Sequence, residues 1–543
     1  MASSITRLNR LLDRGFYPLE LPPPFQTRRF SGVRRTFRPN NNYNGSTTFF
    51  DGATFRGMLR TFGVVNPASY FLLSEFIADH WADISSTYRL SSSSGARPKF
   101  PSASSDGRAI EVASLATKRK SQQHLASSFP IILGLDINRF YGSIYTHSIP
   151  WAALGKKEAK RRYRLRTLTG HWSDTLDKFV RNCNQRQTIG IPIGPDTSRI
   201  ISELLLSRID ADLCATGSNI ASHQAFHNID DYQIGAFDTG TAETAQSHFI
   251  RTISRYELRL NDFKTTIEQG FDFAPSNFQR HFDILQERRD RTFVEHFFEL
   301  LYSIAPLHPN SNIVGYALKR FAVALATNAE QLLVREYLQR LLFAAPHHAR
   351  WVMPLLLGIY NQAGVNPEVR RIMAWGVETC ARRNDVGSLL WFLYGAIFLR
   401  VKLNGNTCSQ CIGMSNELVD LVLLHGRNEG LFSFKISELR ERYKNTNMQS
   451  SGWLPLYEVE RRGWDTSPAF QKIGQAEDAD GLYEHLNNGN VEFYITDPDY
   501  FCVEAFKGWN LTQQDFDPDA NEHRRQEYYD ILNDYEHGIE NYE

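Results

Sequence analysis

The spacing of apolar residues changes at about residue 275. Before this point, short runs typical of β-strands alternate with helical runs and with loops rich in Asn, Ser, Gly and Pro, such as 38–48 and 89–107. Both loops are expected to be mobile and exposed. Later in the chain, apolar residues recur at intervals of three and four, the pattern of amphipathic helices. The pattern predicts a mixed α+β region over residues 1–275 and an all-α region of stacked helical hairpins over residues 276–543.

Three elements of the first region follow one another in a definite order. An apolar strand over 131–135 ends at Asp136, and two strand-like runs flank the adjacent pair Asp230 and Asp231. Between them, a loop marked by Gly194 leads into a helix. The apolar face of this helix is predicted to consist of Ile200, Ile201, Leu204, Leu205 and Ile209. Taken alone, Asp136 is also explained as the cap of a turn, and the paired aspartates as a solvated hairpin turn.

Charge is distributed unevenly, although the 60 basic and 60 acidic residues of the chain balance. Residues 1–130 carry 17 Lys and Arg against 8 Asp and Glu, and the segment 155–166 adds a further basic run. Basic surface binds phosphates by releasing counterions, whereas the acidic C-terminal stretch would repel them. The alternative for each basic run is a solvated helix face.

The length of 543 residues predicts two or three domains. The six cysteines are scattered along the chain, so a reducing cytoplasm is expected rather than a disulfide framework. The N-terminus lacks the apolar region of a signal peptide, and the apolar run that begins at Val386 is too short to span a membrane. The expected location is therefore the cytoplasm, without membrane attachment.

A strand that ends in an acid, a glycine loop before a buried helix, and a hairpin with two aspartates together match a two-metal nucleotidyltransferase. Two divalent ions must be bridged by carboxylates, one ion activating the attacking hydroxyl and the other neutralising the triphosphate. Mg²⁺ prefers oxygen ligands, and Mn²⁺ is an alternative. The expected catalytic residues are Asp136, Asp230 and Asp231, and the expected metal ligands are Asp136, Asp230 and Ile137. Tyr141 is expected under the sugar of the nucleotide, where its ring excludes a 2′-hydroxyl and favours deoxynucleotides.

The sequence around these residues resembles the motifs of reverse transcriptases. The segments DINRFYGSIYTHSIP, GIPIGPDTSR and NIDDY are similar to motifs A, B and C of that family, and RLNDFKT resembles the motif that follows. The ELPPPF segment, the FYGSIYTHSIPWA extension and the helical C-terminal half resemble the abortive-infection and defence-associated reverse transcriptases of bacteria, the AbiK-like and unknown-group enzymes.

This resemblance implies α+β fingers and palm of a right-hand polymerase over residues 1–275, and a HEAT-like α-helical domain with an acidic, Tyr-rich tail over residues 276–543. It implies an RNA-directed DNA polymerase-like nucleotidyltransferase in anti-phage defence. It also implies DNA synthesis that starts on a protein hydroxyl and that, in some members, needs no template. It places Gly194 at the nucleotide and Lys264 at the triphosphate. The implied partners are dNTPs, a DNA product that protein priming would attach covalently, and further copies of the chain in a homo-oligomer.

Two residues depart from the pattern of ordinary reverse transcriptases. Asn228 stands where an aromatic residue precedes the paired aspartates by two positions, and Ile193 stands where glutamine precedes the loop glycine. In the family these positions lie close to primer, template and nucleotide, so conventional copying of RNA is less expected than nucleotide transfer itself. The alternatives are a catalytically degenerate nucleic-acid-binding or scaffold protein, and an RNA-templated enzyme that uses a noncoding RNA.

Two further groups of residues are predicted to serve the reaction. Lys118, Arg119 and Lys120 precede motif A, where the fingers bind the triphosphate, although a solvated basic surface is the alternative. A protein primer must reach the metal site from a flexible segment, and Tyr43 among Asn and Gly neighbours meets this requirement. The tyrosines of the tail have acidic neighbours that repel polyphosphate: Tyr528, Tyr529, Tyr535 and Tyr542.

Overall fold

The structure is a computed structural model that describes residues 2–54, 56–102, 107–111, 115–215, 220–269, 278–308, 311–363, 367–497, 511 and 515. Within these residues the protein is a mixed α+β molecule that is mostly helical, with one four-stranded and one two-stranded sheet. The predicted α+β class is confirmed to this extent. Most buried apolar side chains belong to one core that extends from Leu8 to Leu511.

Both sheets are antiparallel throughout. The strands are β1 (Thr48–Ala53), β2 (Leu59–Val64), β3 (Ile131–Asp136), β4 (Ala225–Asn228), β5 (Asp231–Ala236) and β6 (Thr266–Gln269). β1 pairs with β2, and the other four strands form a sheet in the order β4-β5-β3-β6. The structure contains the strand and the hairpin that the apolar pattern predicts, and β3 lies in the interior of the sheet, in keeping with its apolar sequence.

The helices of the first region lie before and between the strands of the four-stranded sheet along the chain. They are α1 (Ser4–Arg14), α2 (Pro67–Asp79), α3 (Trp81–Tyr88), α4 (Leu115–Ser128), α5 (Phe140–Ser143), α6 (Ser148–Leu154), α7 (Lys156–Arg164), α8 (Trp172–Asn182), α9 (Asp196–Leu213) and α10 (Thr239–Ser254). α9 is the helix predicted after the glycine loop, and the five apolar residues predicted for its inner face are all buried. It begins with Asp196, whose charge suits the positive end of the helix dipole.

Different helices cover the two faces of the four-stranded sheet. Because side chains alternate along a strand, Leu135 lies on one face of β3, whereas Ile132 and Asp136 share the other. On the first face, Tyr232 of β5 pairs with Leu135 and packs on Phe249 of α10, with 4.8 Å between ring centroids. On the second face, Leu125 of α4, Phe129 just after this helix and Ile132 of β3 form a separate apolar cluster. Asp136 therefore emerges on the face that α4 covers.

The regular elements described between residues 278 and 497 are all helices, as the amphipathic spacing predicts. They are α11 (Phe278–Asp283), α12 (Arg291–Ile304), α13 (Ile313–Arg320), α14 (Ala322–Ala326), α15 (Gln331–Ala344), α16 (Ala349–Ala363), α17 (Pro367–Arg382), α18 (Val386–Phe398), α19 (Gly405–Gly413), α20 (Glu417–Asn428), α21 (Ser437–Tyr443), α22 (Trp453–Arg461) and α23 (Leu482–Asn488). α18 holds the most apolar run and is buried along nearly its whole length. None of the described helices combines the length and the apolar character that crossing a lipid bilayer demands.

The β1–β2 hairpin of the first region is held by the helical region. The N–H of Ala53 donates to Oδ1 of Asp385 at 3.1 Å, and the same oxygen caps the start of α18. Gly52 and Gly387 approach so closely that a Cβ on Gly387 would lie 2.8 Å from the Cα of Gly52. The helices therefore fix the position of the hairpin.

The two loops expected to be mobile and exposed are partly buried instead. In the first loop, Ser46 is buried and its N–H donates to the carbonyl of Gln449 at 2.7 Å. In the second loop, Ser93 is buried and its carbonyl accepts from the N–H of His227 in β4 at 2.9 Å. The expectation of exposure was wrong because distant elements satisfy the backbone groups of both loops, which local composition does not show.

Candidate active site

Asp136, Asp230 and Asp231 meet at one end of the four-stranded sheet. Asp136 is the last residue of β3, Asp231 is the first residue of β5, and the two lie directly opposite each other in the strand pair. Opposed residues have Cβ atoms about 4.5–5.5 Å apart and side chains on the same face. The N–H of Ile137 donates to the carbonyl of Asp230 at 3.2 Å, which holds this residue beside the end of β3. The structure therefore brings the three predicted carboxylates together.

The turn that carries the paired aspartates has a strained backbone. It consists of Ile229 and Asp230 between β4 and β5, and Ile229 has φ +63°. Two-residue hairpin turns favour positive φ, but glycine or asparagine usually supplies it, because a β-branched side chain is strained there. Such strain costs about 1–3 kcal/mol and is concentrated at functional sites. The shape of this turn is therefore kept at the expense of local stability.

Asp136 is buried, and both of its carboxylate oxygens have partners. The amide of Asn261 donates to Oδ1 at 2.8 Å, and the ammonium group of Lys264 donates to Oδ2 at 2.9 Å. The segment that carries both donors is fixed along the end of β3, since Asn261 N–H donates to the Asp136 carbonyl and Asn138 N–H donates to the Arg259 carbonyl. Lys264, predicted to approach the triphosphate, therefore lies at the carboxylates, and its side chain remains 46% exposed.

Of the three basic residues predicted to bind the triphosphate, Lys118 contacts the carboxylates. Its Nζ lies 3.6 Å from Oδ2 of Asp231, because α4 crosses the face of the sheet on which the carboxylates emerge. Arg119 is half-buried and Lys120 is exposed, and neither pairs with an acid in the described part of the chain. The structure therefore brings Lys118 to the site, and the roles of Arg119 and Lys120 stay predictions.

Negative charge accumulates at this end of the sheet. Burial, together with the charges of Asp231 and Asp136, raises the pKa of Asp230 to about 6, and Arg60 opposes this shift. Desolvation by the surrounding protein also raises the pKa of Asp231, Lys118 opposes this shift, and Asp136 adds to it. At both carboxyl groups, burial and the neighbouring acids therefore raise the pKa by more than the nearby cations lower it. Arg60 belongs to β2, so the β1–β2 hairpin supplies one of these cations.

The side chains at this end of the sheet have the chemistry of a divalent-cation site. Carboxylate oxygens are the ligands that Mg²⁺ prefers, and Ile137 can add its backbone carbonyl. Among the residues that the structure describes, no three acidic, histidine or cysteine side chains are arranged to hold one ion. Lys264 and Lys118 instead bind oxygens of Asp136 and Asp231. A cation bound here must therefore displace these lysines from the carboxylates.

Gly194 shapes the loop that leads into α9. Its φ is +126°, and a Cβ at this position would lie 2.3 Å from Cγ of Pro18, so a side chain does not fit. Its carbonyl accepts from the guanidinium group of Arg108 at 3.0 Å, and that group also pairs with Asp196 at 2.7 Å. The contact of Gly194 with a nucleotide stays a prediction.

Tyr141 lies on α5, directly after β3, and is half-buried. Its hydroxyl lies 3.3 Å from Oγ of Ser202 on α9, and its carbonyl accepts from the N–H of Ile191 at 2.9 Å. The residue therefore bridges the end of β3, the glycine loop and α9. Its place under a nucleotide sugar also stays a prediction.

A buried ionic cluster lies beside the aspartate turn. Nδ1 of His227 in β4 lies 2.9 Å from Oδ2 of Asp210, and Nε2 lies 3.6 Å from Oε2 of Glu203. Since carboxylates only accept hydrogen bonds, this arrangement favours a doubly protonated ring. Burial alone would lower the pKa of His227, but Asp210 and Glu203 outweigh it and raise the pKa to about 10. The hydroxyl of Tyr232 donates to Asp210 at 2.9 Å, so the cluster joins β4 and β5 to α9.

Tyr43, the predicted priming residue, is buried although it directly follows three exposed asparagines. Its side chain is 5% exposed, and its hydroxyl is directed toward Asn66 and Tyr483. Burial raises the pKa of Tyr43 well above its ordinary range. The expected exposure was wrong because the helical region covers the loop, and the priming role remains a prediction without structural support. The other candidates lie outside the described residues: Tyr528, Tyr529, Tyr535 and Tyr542.

Four residues near the site had not been singled out from the sequence: Arg60, His227, Asn261 and Phe263. Asn261 lies three positions before Lys264 in the RLNDFKT motif, so the motif itself contained a signal. No sequence signal indicated Arg60, because its approach to Asp230 depends on how the β1–β2 hairpin packs against the rest of the protein. Phe263 is fully exposed beside Lys264, an unusual position for a large apolar ring.

An open cavity of about 610 Å³ lies next to the residues that follow Asp136. It is lined by Asn138, Tyr145, Ile189, Glu257 and Arg259 together with Gly142 and Ser143. Its volume falls within the range of small-molecule and cofactor sites. The cavity therefore offers space that begins two residues beyond Asp136.

Comparisons with known proteins give little further information. No family model and no curated protein matches the sequence. Among solved structures, the chain is similar to telomerase from Candida albicans in complex with the TWJ fragment of telomeric RNA, with a TM-score of 0.29 and 10% sequence identity. The match covers 64% of this chain and 65% of the telomerase chain, which is less than two thirds of that protein. Similarity this weak does not assign a family, and the function must be argued from the residues of the site.

Proposed function

We propose that the protein is a metal-dependent DNA polymerase of reverse-transcriptase descent. One observation carries the proposal: Asp136, Asp230 and Asp231, distant along the chain, meet at one end of a β-sheet with Lys264 2.9 Å from the first of them. Carboxylates on adjacent strands, next to a lysine, suit the transfer of a nucleotide from a triphosphate. The order of the segments that resemble motifs A, B and C supports the same assignment.

Divalent cations would activate the attacking hydroxyl and neutralise the triphosphate and the leaving pyrophosphate. Asp136, Asp230 and the carbonyl of Ile137 would hold two Mg²⁺ ions, or Mn²⁺ in their place, and Asp231 would assist. Lys264 would then turn from Asp136 toward the phosphates, which its partly exposed side chain allows. A metal ion would thereby replace a lysine as the partner of the buried carboxylate.

Cations on two other elements complete the nucleotide site. Lys118 on α4 and Arg60 on β2 both act on the aspartates of the turn and bind the triphosphate when it is present. Tyr141 of α5, whose hydroxyl contacts Ser202 of α9, lies under the sugar and favours deoxynucleotides. The substrates are therefore dNTPs.

The biological setting follows from the resemblance to AbiK-like reverse transcriptases. On this basis the enzyme acts in bacterial defence against phage, primes synthesis on a protein hydroxyl, needs no template, and assembles as a homo-oligomer in the cytoplasm. The departures at Asn228 and Ile193 support synthesis that does not depend on a copied RNA. An enzyme that copies a noncoding RNA is the alternative within the same family.

A second candidate function is nucleic-acid binding without catalysis. The observation that favours it is that Lys264 and Lys118 pair with Asp136 and Asp231, so that no three described side chains form a metal site. In this case the carboxylates only help to fold the end of the sheet.

Incubation of the purified protein with Mg²⁺ and four dNTPs, without primer or template, separates the two candidates. We expect product of high molecular weight from the wild type, none from Asp230→Asn, and wild-type amounts from Asp262→Asn, which removes an exposed acid near Lys264. Mass spectrometry of the product locates a priming residue. If the wild type makes no product, with or without an added primed RNA, and Asp230→Asn binds nucleic acid normally, the binding function is correct.

A further inference from the structure

The helix α7 and the two residues after it carry a dense positive charge. The segment 156–166 contains seven Lys and Arg and one Glu. Glu158 is shared by Arg161 and Arg162, at 2.7 and 2.8 Å, so it offsets only part of this charge. Four exposed cations of the segment pair with no acid in the described part of the chain: Lys157, Lys160, Arg164 and Arg166. We call the segment 156–166 the α7 ridge.

Two large apolar side chains lie exposed between these cations. Tyr163 is 74% exposed and Leu165 is 57% exposed. They alternate with the arginines of the segment 162–166, so each apolar residue has an arginine before and after it in the sequence. A helix face that is merely solvated has no need of exposed rings, whereas proteins that bind single-stranded nucleic acids combine cations for the phosphates with aromatic rings on which bases stack.

Neighbouring residues of the first region hold the ridge in place. Ala159 is buried, and the ammonium group of Lys156 lies 4.0 Å from the ring centre of Trp151 and 3.3 Å from Oε1 of Glu257. The cations of the ridge therefore have a fixed place relative to the segment that follows α10.

That segment leads directly to the carboxylates. Glu257 is four residues before Asn261, whose amide binds Asp136, and four extended residues span at most about 14 Å. Glu257 and Arg259 line the 610 Å³ cavity together with Asn138, which is two residues beyond Asp136. The cavity therefore shares Glu257 with the Lys156 end of the ridge and lies along the segment that leads to Asp136, and Arg259 adds a cation to its lining.

We infer that the α7 ridge and this cavity bind single-stranded DNA on its way from the carboxylate site. The identity of the strand as the product of synthesis rests on the proposed function, whereas the ability to bind a single strand rests on the ridge alone. Phosphates contact the four unpaired cations, and a base stacks on Tyr163. A base paired in a duplex does not offer its face to a ring in this way, so the ridge selects a single strand.

Fluorescence anisotropy with a 20-residue oligo-dT, in EDTA so that no synthesis occurs, tests the inference. The variant Lys157→Gln/Arg164→Gln/Arg166→Gln should bind at least about 10-fold more weakly than wild type. The slope of log K against the logarithm of the salt concentration should be smaller in magnitude by about 2. The variant lacks three cations, and each lost phosphate contact on a single strand reduces the slope by about 0.7. Tyr163→Ala should bind several-fold more weakly without a change in slope, because it removes stacking and no charge.

The matched control removes three exposed arginines at and just after α17 of the helical region, Arg370→Gln/Arg371→Gln/Arg383→Gln, and should bind as wild type does. Equal affinities of the wild type and the ridge variant would overturn the inference. It would also be overturned if the ridge bound an oligo-U, a duplex or poly-glutamate as tightly as oligo-dT.

A parallel titration of Asp230→Asn separates this inference from the proposed function. The inference predicts that this variant binds oligo-dT as tightly as wild type does. If the ridge binds single strands but the wild type synthesises no DNA, only the proposed function fails. If the wild type synthesises DNA and the ridge variant binds oligo-dT normally, only the inference fails.

Discussion

The ammonium group of Lys264 lies 2.9 Å from Oδ2 of Asp136, so a lysine and a divalent cation compete for the same buried carboxylate. Asn261 binds the other oxygen of Asp136 and comes from the same segment, which approaches the end of β3 through backbone hydrogen bonds. Asp136 therefore has two alternative partners, Lys264 and a metal ion.

Replacing Lys264 by Gln should affect metal binding and catalysis in opposite directions. Without the lysine, Mn²⁺ should bind up to about 5-fold more tightly in the absence of nucleotide, since a partly exposed ion pair contributes up to about 1 kcal/mol. Nucleotide incorporation should fall at least about 10-fold, because a cation at the triphosphate is lost. Calorimetric titration with Mn²⁺ and an incorporation assay measure the two effects. Lys120→Gln is the matched control, and equal metal affinities of Lys264→Gln and wild type would contradict the competition.

Asp230→Asn should stabilise the protein in EDTA at pH 8. Burial and the neighbouring acids raise the pKa of Asp230 from its ordinary 3.8 to about 6. Because the pKa of this carboxyl group is raised in the folded state, its contribution to stability is fully present below about pH 3.8 and is lost as the pH rises through 6. Asn mimics the protonated acid, so the gain should be on the order of 1 kcal/mol at pH 8 and should disappear by about pH 4. The melting temperatures of both proteins in EDTA at pH 4 and pH 8 measure this gain. A variant that melts at a lower temperature than wild type at pH 8 would contradict the prediction.

His227→Gln should remove a pH-dependent part of the stability. The folded protein holds the pKa of His227 at about 10, above its ordinary 6.5, through Asp210 and Glu203. This contribution is complete below about pH 6.5 and is lost as the pH rises through 10, by up to about 1.4 kcal/mol per pH unit. At pH 7 the variant should be about 3–5 kcal/mol less stable, because two buried acids lose their cation. Unfolding by urea at pH 7, 8.5 and 10 measures the loss. The exposed His124→Gln is the control, and parallel pH profiles of His227→Gln and wild type would refute the role.

Gly194→Ala should destabilise the loop before α9. The added Cβ would meet Pro18 at 2.3 Å, and φ +126° is unfavourable for alanine, so the loss should be about 1–3 kcal/mol. Gly32→Ala is the matched control, because no atom lies within 4 Å of its Cβ position. Melting temperatures and urea unfolding compare the two substitutions. Equal stability of both variants would show that the loop can adapt.

The elements of the first region could be predicted because their signals are local. An apolar run that ends in Asp136, a glycine before an apolar helical face, and a paired aspartate between strand-like runs each specify one element. Antiparallel pairing of β3 and β5 then places Asp136 opposite Asp231. Sequence order and hydrophobic spacing therefore led to the acidic residues of the site.

The burial of Tyr43 could not be predicted in this way, because it depends on Tyr483 in a distant helix. The cluster around His227 is an intermediate case. Glu203 and Asp210 are seven residues apart in α9 and lie on one buried face of it. Two acids on a buried face require a cation, so the spacing indicated a partner without showing that His227 supplies it.

Electron paramagnetic resonance of Mn²⁺ bound together with a non-hydrolysable dNTP tests the central claim most directly. The claim predicts two magnetically coupled Mn²⁺ ions per chain in the wild type, and loss of the coupled signal in Asp136→Asn and in Asp230→Asn. A wild-type protein that binds no Mn²⁺, or variants that give the wild-type signal, would show that these carboxylates do not form a two-metal site.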